Sequence, residues 1–193
     1  MNTSEKYLFL VVVGGKSTKA NIELHDVRWL IGSRIEDTFE QIRNDWFGEI
    51  KGLHIDSYKK ITNIDGYKIE LFEDKEEQNN PNNKRFLKSN SAMKLWFVNL
   101  GGYKNDSMIE HHEFGLFVAN SSQEAKTRAK KYFLTGFMQK HKDDISDLTS
   151  FVEVDDCQPI TQINSWRINL VRDNQLTLNK LVPDWYGYMR IDK

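Results

Sequence analysis

Residues 8–39, LFLVVVGGKSTKANIELHDVRWLIGSRIEDTF, decide the fold because a second stretch repeats their pattern. Residues 95–126 read LWFVNLGGYKNDSMIEHHEFGLFVANSSQEAK, and the two Gly-Gly pairs align at a shift of 87 residues. The shift also aligns a Glu-x-His-acid motif and the alternating apolar run that follows it. Self-similarity at a fixed spacing is typical of an internal duplication. The aligned polar residues are Glu23 with Glu110, His25 with His112, and Asp26 with Glu113.

The same alignment predicts equivalent positions further along the chain. At a shift of 87 residues, His54 and Asp56 coincide with His141 and Asp143, which places a His-x-Asp motif in the loop after each helix. The strand-like segment YKIEL, residues 67–71, corresponds to WRINL, residues 166–170, after a longer connection.

Each copy is predicted to be a β-β-α-β-β unit. The first strand, about residues 7–13, is continuously apolar, whereas the second alternates and covers about residues 24–32 or 111–119. A capping box then predicts the start of each helix, with Ser33 and Glu36 in one copy and Ser121 and Glu124 in the other.

Asp65-Gly66, between two alternating runs, indicates a tight hairpin. The predicted fold class is therefore α+β, with mainly antiparallel sheets, one helix per repeat and a pseudo-two-fold arrangement. Repeat 1 covers residues 6–72, and repeat 2 covers residues 94–172. Residues 73–93 form a polar linker or loop, and the aromatic residues 173–193 form a C-terminal docking segment.

Composition excludes several classes of protein. The chain has 193 residues, a net charge of −1 and 12% aromatic residues, so disorder and a general affinity for nucleic acid are disfavoured. The first 15 residues lack the features of a secretory signal or a membrane span. The single cysteine, Cys157, fits a reducing compartment. We expect a soluble, cytoplasmic protein with no membrane partner. The sequence does not distinguish a monomer from a homo-oligomer.

Residues 11–18, VVVGGKST, resemble a phosphate-binding loop but lack its requirements. The phosphate-binding pattern needs a glycine where this chain has Leu10, and a helix should begin at the lysine. We therefore predict no nucleotide-binding loop. The glycines are interpreted as turn residues that allow a positive φ after the strand, namely Gly14, Gly15, Gly101 and Gly102.

The doubled pattern resembles a bacterial family known as domain of unknown function 1543. The motifs that carry the resemblance are NLGGY, EHHEF and HKDD in the second copy, and ELHD and HIDSY in the first. They cover about residues 7–72 and 95–156. The resemblance implies small bacterial proteins with one or two copies of the domain, and it implies no activity and no catalytic residues.

The paired histidines and acids form the candidate polar cluster. Alternate residues of a strand share a face, so a Glu-x-His pair lies at the rim of an apolar surface in each copy. A structural role for these groups is favoured over a ligand pocket, and a metal or catalytic role ranks third. The candidates are Glu23, His25, Asp26, His54, Asp56, Glu110, His112, Glu113, His141 and Asp143. His111 has no counterpart in the first copy and is expected to be exposed.

Two functions remain in competition. The first is a non-enzymatic module built from two repeats that binds an unknown small molecule or protein. The second is a small enzyme that uses a His-carboxylate pair, or a metal held by it, for acid-base or hydrolytic chemistry. The shortage of catalytic motifs favours the first, and although two imidazoles and a carboxylate could hold a metal, the sequence alone assigns no cofactor.

Overall fold

The computed structural model describes residues 5–74, 92–103, 106–133, 153–173 and 181–193. Most of the predicted linker, together with His141 and Asp143, lies outside the described residues. The elements of the first copy are β1 (Tyr7–Gly15), β2 (Leu24–Gly32), a 3₁₀ helix (Ile35–Thr38), α1 (Phe39–Asp45), β3 (His54–Ile61), β4 (Asn63–Ile64) and β5 (Tyr67–Glu73).

The second copy follows the same order. Its elements are β6 (Lys94–Gly102), β7 (His111–Ala119), α2 (Ser122–Tyr132), β8 (Glu153–Ile160), β9 (Gln162–Ile163) and β10 (Trp166–Arg172). A last strand, β11 (Trp185–Arg190), ends the chain. The second strand of each copy has the predicted bounds, because alternation of apolar and polar residues is a local signal.

The described strands form three antiparallel sheets. Together with the helices they give an α+β fold, as predicted. The first has the order β2–β1–β3–β11, and the second has the order β7–β6–β8. The third, β4–β5–β10–β9, takes two strands from each copy. None of the helices in the described ranges is both long and apolar enough to cross a bilayer.

Reciprocal hydrogen bonds join the two copies across the third sheet. Asp74 N–H donates to the Ser165 carbonyl at 2.9 Å, and Asp173 N–H donates to the Gly66 carbonyl at 2.8 Å. The side chain of Asn63 donates to the Asp173 carboxylate at 2.9 Å. The carboxylate of Asp74 in turn accepts from the Gln162 side chain at 3.1 Å. Each copy therefore donates a backbone hydrogen bond to the hairpin turn of the other.

The core has three parts. One cluster packs against α1 in the first copy, and another packs against α2 in the second. The third lies between the copies, where apolar residues of the first and second sheets meet the hairpins of the third. Trp29 and Phe97 contact each other across this boundary, with ring centroids 4.9 Å apart. The copies thus share a core as well as a sheet.

The four glycines interpreted as turn residues lie inside strands, so that prediction is wrong. Gly14 and Gly15 end β1, and Gly101 and Gly102 end β6. Within the described residues, positive φ values occur at Gly52, Gly66 and Gly187 instead. The hairpin turn predicted at Asp65-Gly66 is confirmed, with φ values of 53° and 74°.

The two predicted capping boxes have different outcomes. Ser121 Oγ accepts a hydrogen bond from Glu124 N–H at 3.3 Å, as predicted. The Ser33–Glu36 box is wrong, because the Asp37 carboxylate accepts from Ser33 N–H at 2.9 Å and the chain begins a 3₁₀ helix. A carboxylate one residue further along thus takes the capping role.

The C-terminal segment docks on the first copy. β11 pairs with β3, and Ile191, 3% exposed, packs into the core beside α1. The Asp192 carboxylate accepts a hydrogen bond from Gly52 N–H at 2.9 Å, which ties the chain end to the turn before β3. The strand therefore covers the edge of the first sheet where β3 would otherwise be unpaired.

Candidate functional site

Polar side chains of the first copy meet at one end of the first sheet. His25 Nε2 lies 3.9 Å from Glu23 Oε2 and 3.3 Å from Asp56 Oδ2. His54 Nε2 lies 3.7 Å from Glu23 Oε1 and 3.1 Å from Asp56 Oδ1. We call these four residues, Glu23, His25, His54 and Asp56, the His-carboxylate cluster.

The register of the sheet brings the two imidazoles together. Gly14 of β1 pairs with His25 on β2 and with His54 on β3, so both rings leave the same face beside it. A β-carbon on Gly14 would lie 2.6 Å from His54 Nε2 and 3.0 Å from Asp56 Oδ2. Glycine therefore opens the space that the cluster fills.

Asp56 enters the cluster through a β-bulge. Val12 pairs with Ser57 and Val13 pairs with Ile55, which leaves Asp56 as the extra residue of β3. A bulge re-aims side chains, and here the carboxylate reaches both imidazoles. Asp56 Oδ2 is buried and makes no hydrogen bond. His54 and Asp56 thus belong to a strand, not to the loop predicted from the sequence.

His54 is held rigidly, whereas His25 is accessible. The His54 side chain is 1% exposed, and its Nδ1 lies 2.9 Å from the Gly52 carbonyl. A carbonyl can only accept, so Nδ1 carries the proton and Nε2 faces the carboxylates. The Tyr188 ring packs against His54 with centroids 4.1 Å apart. The His25 side chain is 52% exposed.

Within the described residues, the second copy shows part of this arrangement. His112 Nε2 lies 3.8 Å from Glu110 Oε2, as in the first copy, and Gly101 pairs with His112. On its other side, Gly101 pairs with Glu153, which therefore takes the position of His54. His141, which the constant shift aligns with His54, lies outside the described residues, so that equivalence stays a prediction.

Two further candidates, Asp26 and Glu113, lie outside the cluster. Asp26 pairs with Arg28 at 2.6 Å and accepts from Val27 N–H at 2.8 Å. Glu113 pairs with Leu100 in the sheet and is exposed. His111 was expected to be exposed, but it is half-buried and its Nε2 lies 2.9 Å from Ser107 Oγ.

A cavity of about 900 Å³ lies between the two copies. Aromatic rings from both copies line it, and His25 and His112 each contribute to its wall. Its other polar lining residues are dispersed along the sequence and belong to no motif, so no sequence pattern indicates them. They include Arg28, Gln41, Asp45, Asn99, Asp156 and Gln158.

The fold and the site define a class: an α+β protein made of two copies of one domain that face each other across a cavity. Residues 20–71 and 107–158, more than half of the chain, match the family described as Domain of Unknown Function (DUF1543). The chain belongs to this family, and the two matches show two tandem copies of its domain.

One solved structure is similar over nearly the whole chain. It is the crystal structure of a protein Il1583 from Idiomarina loihiensis, with 31% sequence identity and a TM-score of 0.65. The similarity covers 97% of this chain and 98% of that one. No curated protein matches the chain significantly.

Proposed function

We propose that the chain is a non-enzymatic ligand-binding module built from two repeats, with the cavity between them as the binding site. The observation that carries the proposal is the lining of this cavity, which both copies supply. Sites for small molecules are mostly concave and apolar, with a few polar groups that orient the ligand. The cavity shares the concave shape and has aromatic surface from both copies, and its many polar side chains can orient a ligand.

The proposal includes a pseudo-two-fold relation between two β-β-α-β-β repeats, residues 6–72 and 94–172. The reciprocal hydrogen bonds of the third sheet support it. So do the hairpin turns, in which Asp65 and Asn164 have φ values of 53° and 52°. Such symmetry places His25 and His112 on opposing walls. We also place the protein in the cytoplasm, in keeping with its lone cysteine.

The chemistry of the cavity suggests a flat ligand with polar substituents. Trp29, Phe97 and Phe114 provide aromatic surface, and the rings of Phe97 and Phe114 lie 6.0 Å apart. The imidazoles of His25 and His112 can form hydrogen bonds with a ligand, whereas Arg28 is already paired with Asp26. We therefore expect an aromatic or heterocyclic compound with hydrogen-bonding substituents.

Binding of 8-anilinonaphthalene-1-sulfonate, an aromatic anion that fluoresces in apolar surroundings, tests this proposal. The wild-type protein should bind one dye per chain, and Trp29→Ala or Phe114→Ala should weaken binding by about tenfold, as expected for lost burial of one aromatic contact. Phe47→Ala is the matched control, because Phe47 is 60% exposed and does not line the cavity. Equal dye affinity in all four proteins would refute the assignment.

The His-carboxylate cluster supports an enzyme as the second candidate. Asp56 lies within 3.3 Å of one imidazole and 3.1 Å of the other, a geometry suited to general acid-base catalysis. In that case, His25→Ala should abolish turnover of a cavity ligand while leaving the melting temperature nearly unchanged. A purely structural cluster would instead lower the melting temperature.

A further inference from the structure

We propose that the His-carboxylate cluster is a binding site for one divalent transition-metal ion, with Zn²⁺ as the best fit. Glu23, His25 and His54 supply three ligands, and the Asp56 carboxylate lies beside the two imidazoles. This inference goes beyond the proposed function and does not depend on which compound enters the cavity.

The donor atoms already lie close to the spacing that a metal requires. One ligand atom each from Glu23, His25 and His54 falls within 4.8 Å of the others. Bonds of about 2.0–2.2 Å around tetrahedral Zn²⁺ place neighbouring ligand atoms about 3.4 Å apart. The carboxylate of Glu23 is 3.7–3.9 Å from the two imidazole nitrogens, so small side-chain rotations suffice.

The surroundings of His54 are those of an oriented metal ligand. A metal-binding histidine typically donates its second ring N–H to a carbonyl or carboxylate, which fixes the tautomer and the ring plane. Here His54 Nδ1 lies 2.9 Å from the Gly52 carbonyl, and Gly52 N–H is itself held by Asp192. With Nδ1 held by this carbonyl, Nε2 is the ring atom that faces the cluster and is placed to bind a metal.

Charge and solvation also favour a cation. Two carboxylates, Glu23 and Asp56, lie around the two Nε2 atoms, and Asp56 Oδ2 is buried without a hydrogen bond. A buried acceptor with no donor costs free energy unless another group satisfies it. A metal ion would satisfy this oxygen and neutralise both carboxylates.

The donor types select the class of metal. Imidazole nitrogen is a common ligand of Zn²⁺ and other first-row transition metals, whereas Mg²⁺ and Ca²⁺ prefer shells made only of oxygen. His25 and His54 thus argue against the alkaline-earth ions. In the second copy, the register places Glu153 where His54 lies in the first. We therefore expect one Zn²⁺ per chain, at the first copy.

To test the site, the untagged, full-length protein is first treated with a chelator. The metal-free protein is then titrated with Zn²⁺. Calorimetry should show one Zn²⁺ bound per chain and no comparable binding of Mg²⁺. His25→Ala should lower the Zn²⁺ affinity by at least about 100-fold, because it removes a direct ligand. Its side chain is 52% exposed, so the fold should persist. His112→Ala, the matched control in the second copy, should bind Zn²⁺ like the wild type.

Two outcomes would overturn the proposal. One is that wild-type protein does not bind Zn²⁺; the other is that His25→Ala and wild-type protein bind it equally. If His25→Ala fails to fold by circular dichroism, Glu23→Gln provides the same test, because the Glu23 side chain is 36% exposed. Dye binding in the cavity is measured separately on metal-free protein, so failure of one proposal is distinguishable from failure of the other.

Discussion

Gly14 and His54 pair across β1 and β3, and a β-carbon on Gly14 would lie 2.6 Å from His54 Nε2. The absence of a side chain at this position is therefore a condition for the His-carboxylate cluster. Because His54 is buried and packs against Tyr188, it has little room to retreat.

The variant Gly14→Ala should lose the cluster. We expect a loss of about 1–3 kcal/mol in unfolding free energy, typical of overpacking, together with loss of Zn²⁺ binding. Urea denaturation and calorimetry measure the two effects. The control is Gly15→Ala, whose β-carbon would lie 2.8 Å from Trp46 Cζ2, away from the cluster. It should be destabilised but still bind Zn²⁺. Equal Zn²⁺ affinity in both variants would contradict the requirement for glycine at position 14.

Asp192 should make stability depend on pH in acid. The Arg190 guanidinium, 2.6 Å away, and the Gly52 N–H lower the pKa of Asp192 from 3.8 to about 2. Because the folded-state pKa lies below the unfolded-state value, this stabilisation is present above about pH 4 and is lost as the pH falls toward 2.

Urea unfolding of wild-type protein and Asp192→Asn between pH 2 and pH 6 checks this expectation. The difference between the two proteins should be largest above pH 4 and should shrink in acid. Arg190→Gln should narrow the pH range over which stability changes, because it removes the largest cause of the lowered pKa of Asp192. A difference that is constant over the whole range would be incompatible with this role of Asp192.

Asp65 should stabilise the contact between the hairpin of the first copy and the second copy. Its carboxylate lies 2.7 Å from Arg128 Nη2 and accepts from Val118 N–H at 2.6 Å, and its side chain is 8% exposed. Asn tolerates the positive φ at this position, so Asp65→Asn changes the charge with little backbone strain. We expect a loss of about 2 kcal/mol, the usual range for a charge-assisted hydrogen bond.

The loss of stability in Asp65→Asn is measured by urea unfolding, and Asn164→Asp is the matched control. Asn164 occupies the corresponding turn of the second copy with nearly the same φ, but it is exposed, and its side chain donates to Gln41 at 3.1 Å. Urea unfolding should show a change of less than about 0.5 kcal/mol there, as for most surface substitutions. Similar losses at both turns would argue against a special role for Asp65.

Cys157 should react slowly with thiol reagents in the folded protein. Burial raises the pKa of its thiol, whose Sγ lies 3.8 Å from the Ser122 carbonyl. Since the thiolate is the nucleophile, reaction with 5,5′-dithiobis(2-nitrobenzoate) at pH 7 should be much slower than in urea. Equal rates in folded and unfolded protein would show that the thiol is freely reactive.

Local patterns predicted much of the fold. Alternation located β2 and β7, the capping box located α2, and Asp65-Gly66 located a hairpin, because each depends on residues close in sequence. The duplication was visible for the same reason. The third sheet was not predicted, since it depends on which copy each hairpin joins.

The candidate site was predicted in part. Glu23 and His25 share a strand face, which periodicity shows, but the contribution of Asp56 depends on a bulge that no local pattern marks. The role of Gly14 was misassigned because its reason, the ring of His54, comes from a distant strand. The equivalence of His54 with His141 stays a prediction, because His141 lies outside the described residues.

The pairing of β5 with β10 has a consequence for any chain that carries a single copy of this domain. Its last hairpin would expose backbone donors and acceptors that here are satisfied by the other copy. We expect such a chain to pair with an identical molecule, strand against strand, and so to form a homodimer. Duplication within one polypeptide replaces that concentration-dependent assembly with a covalent one.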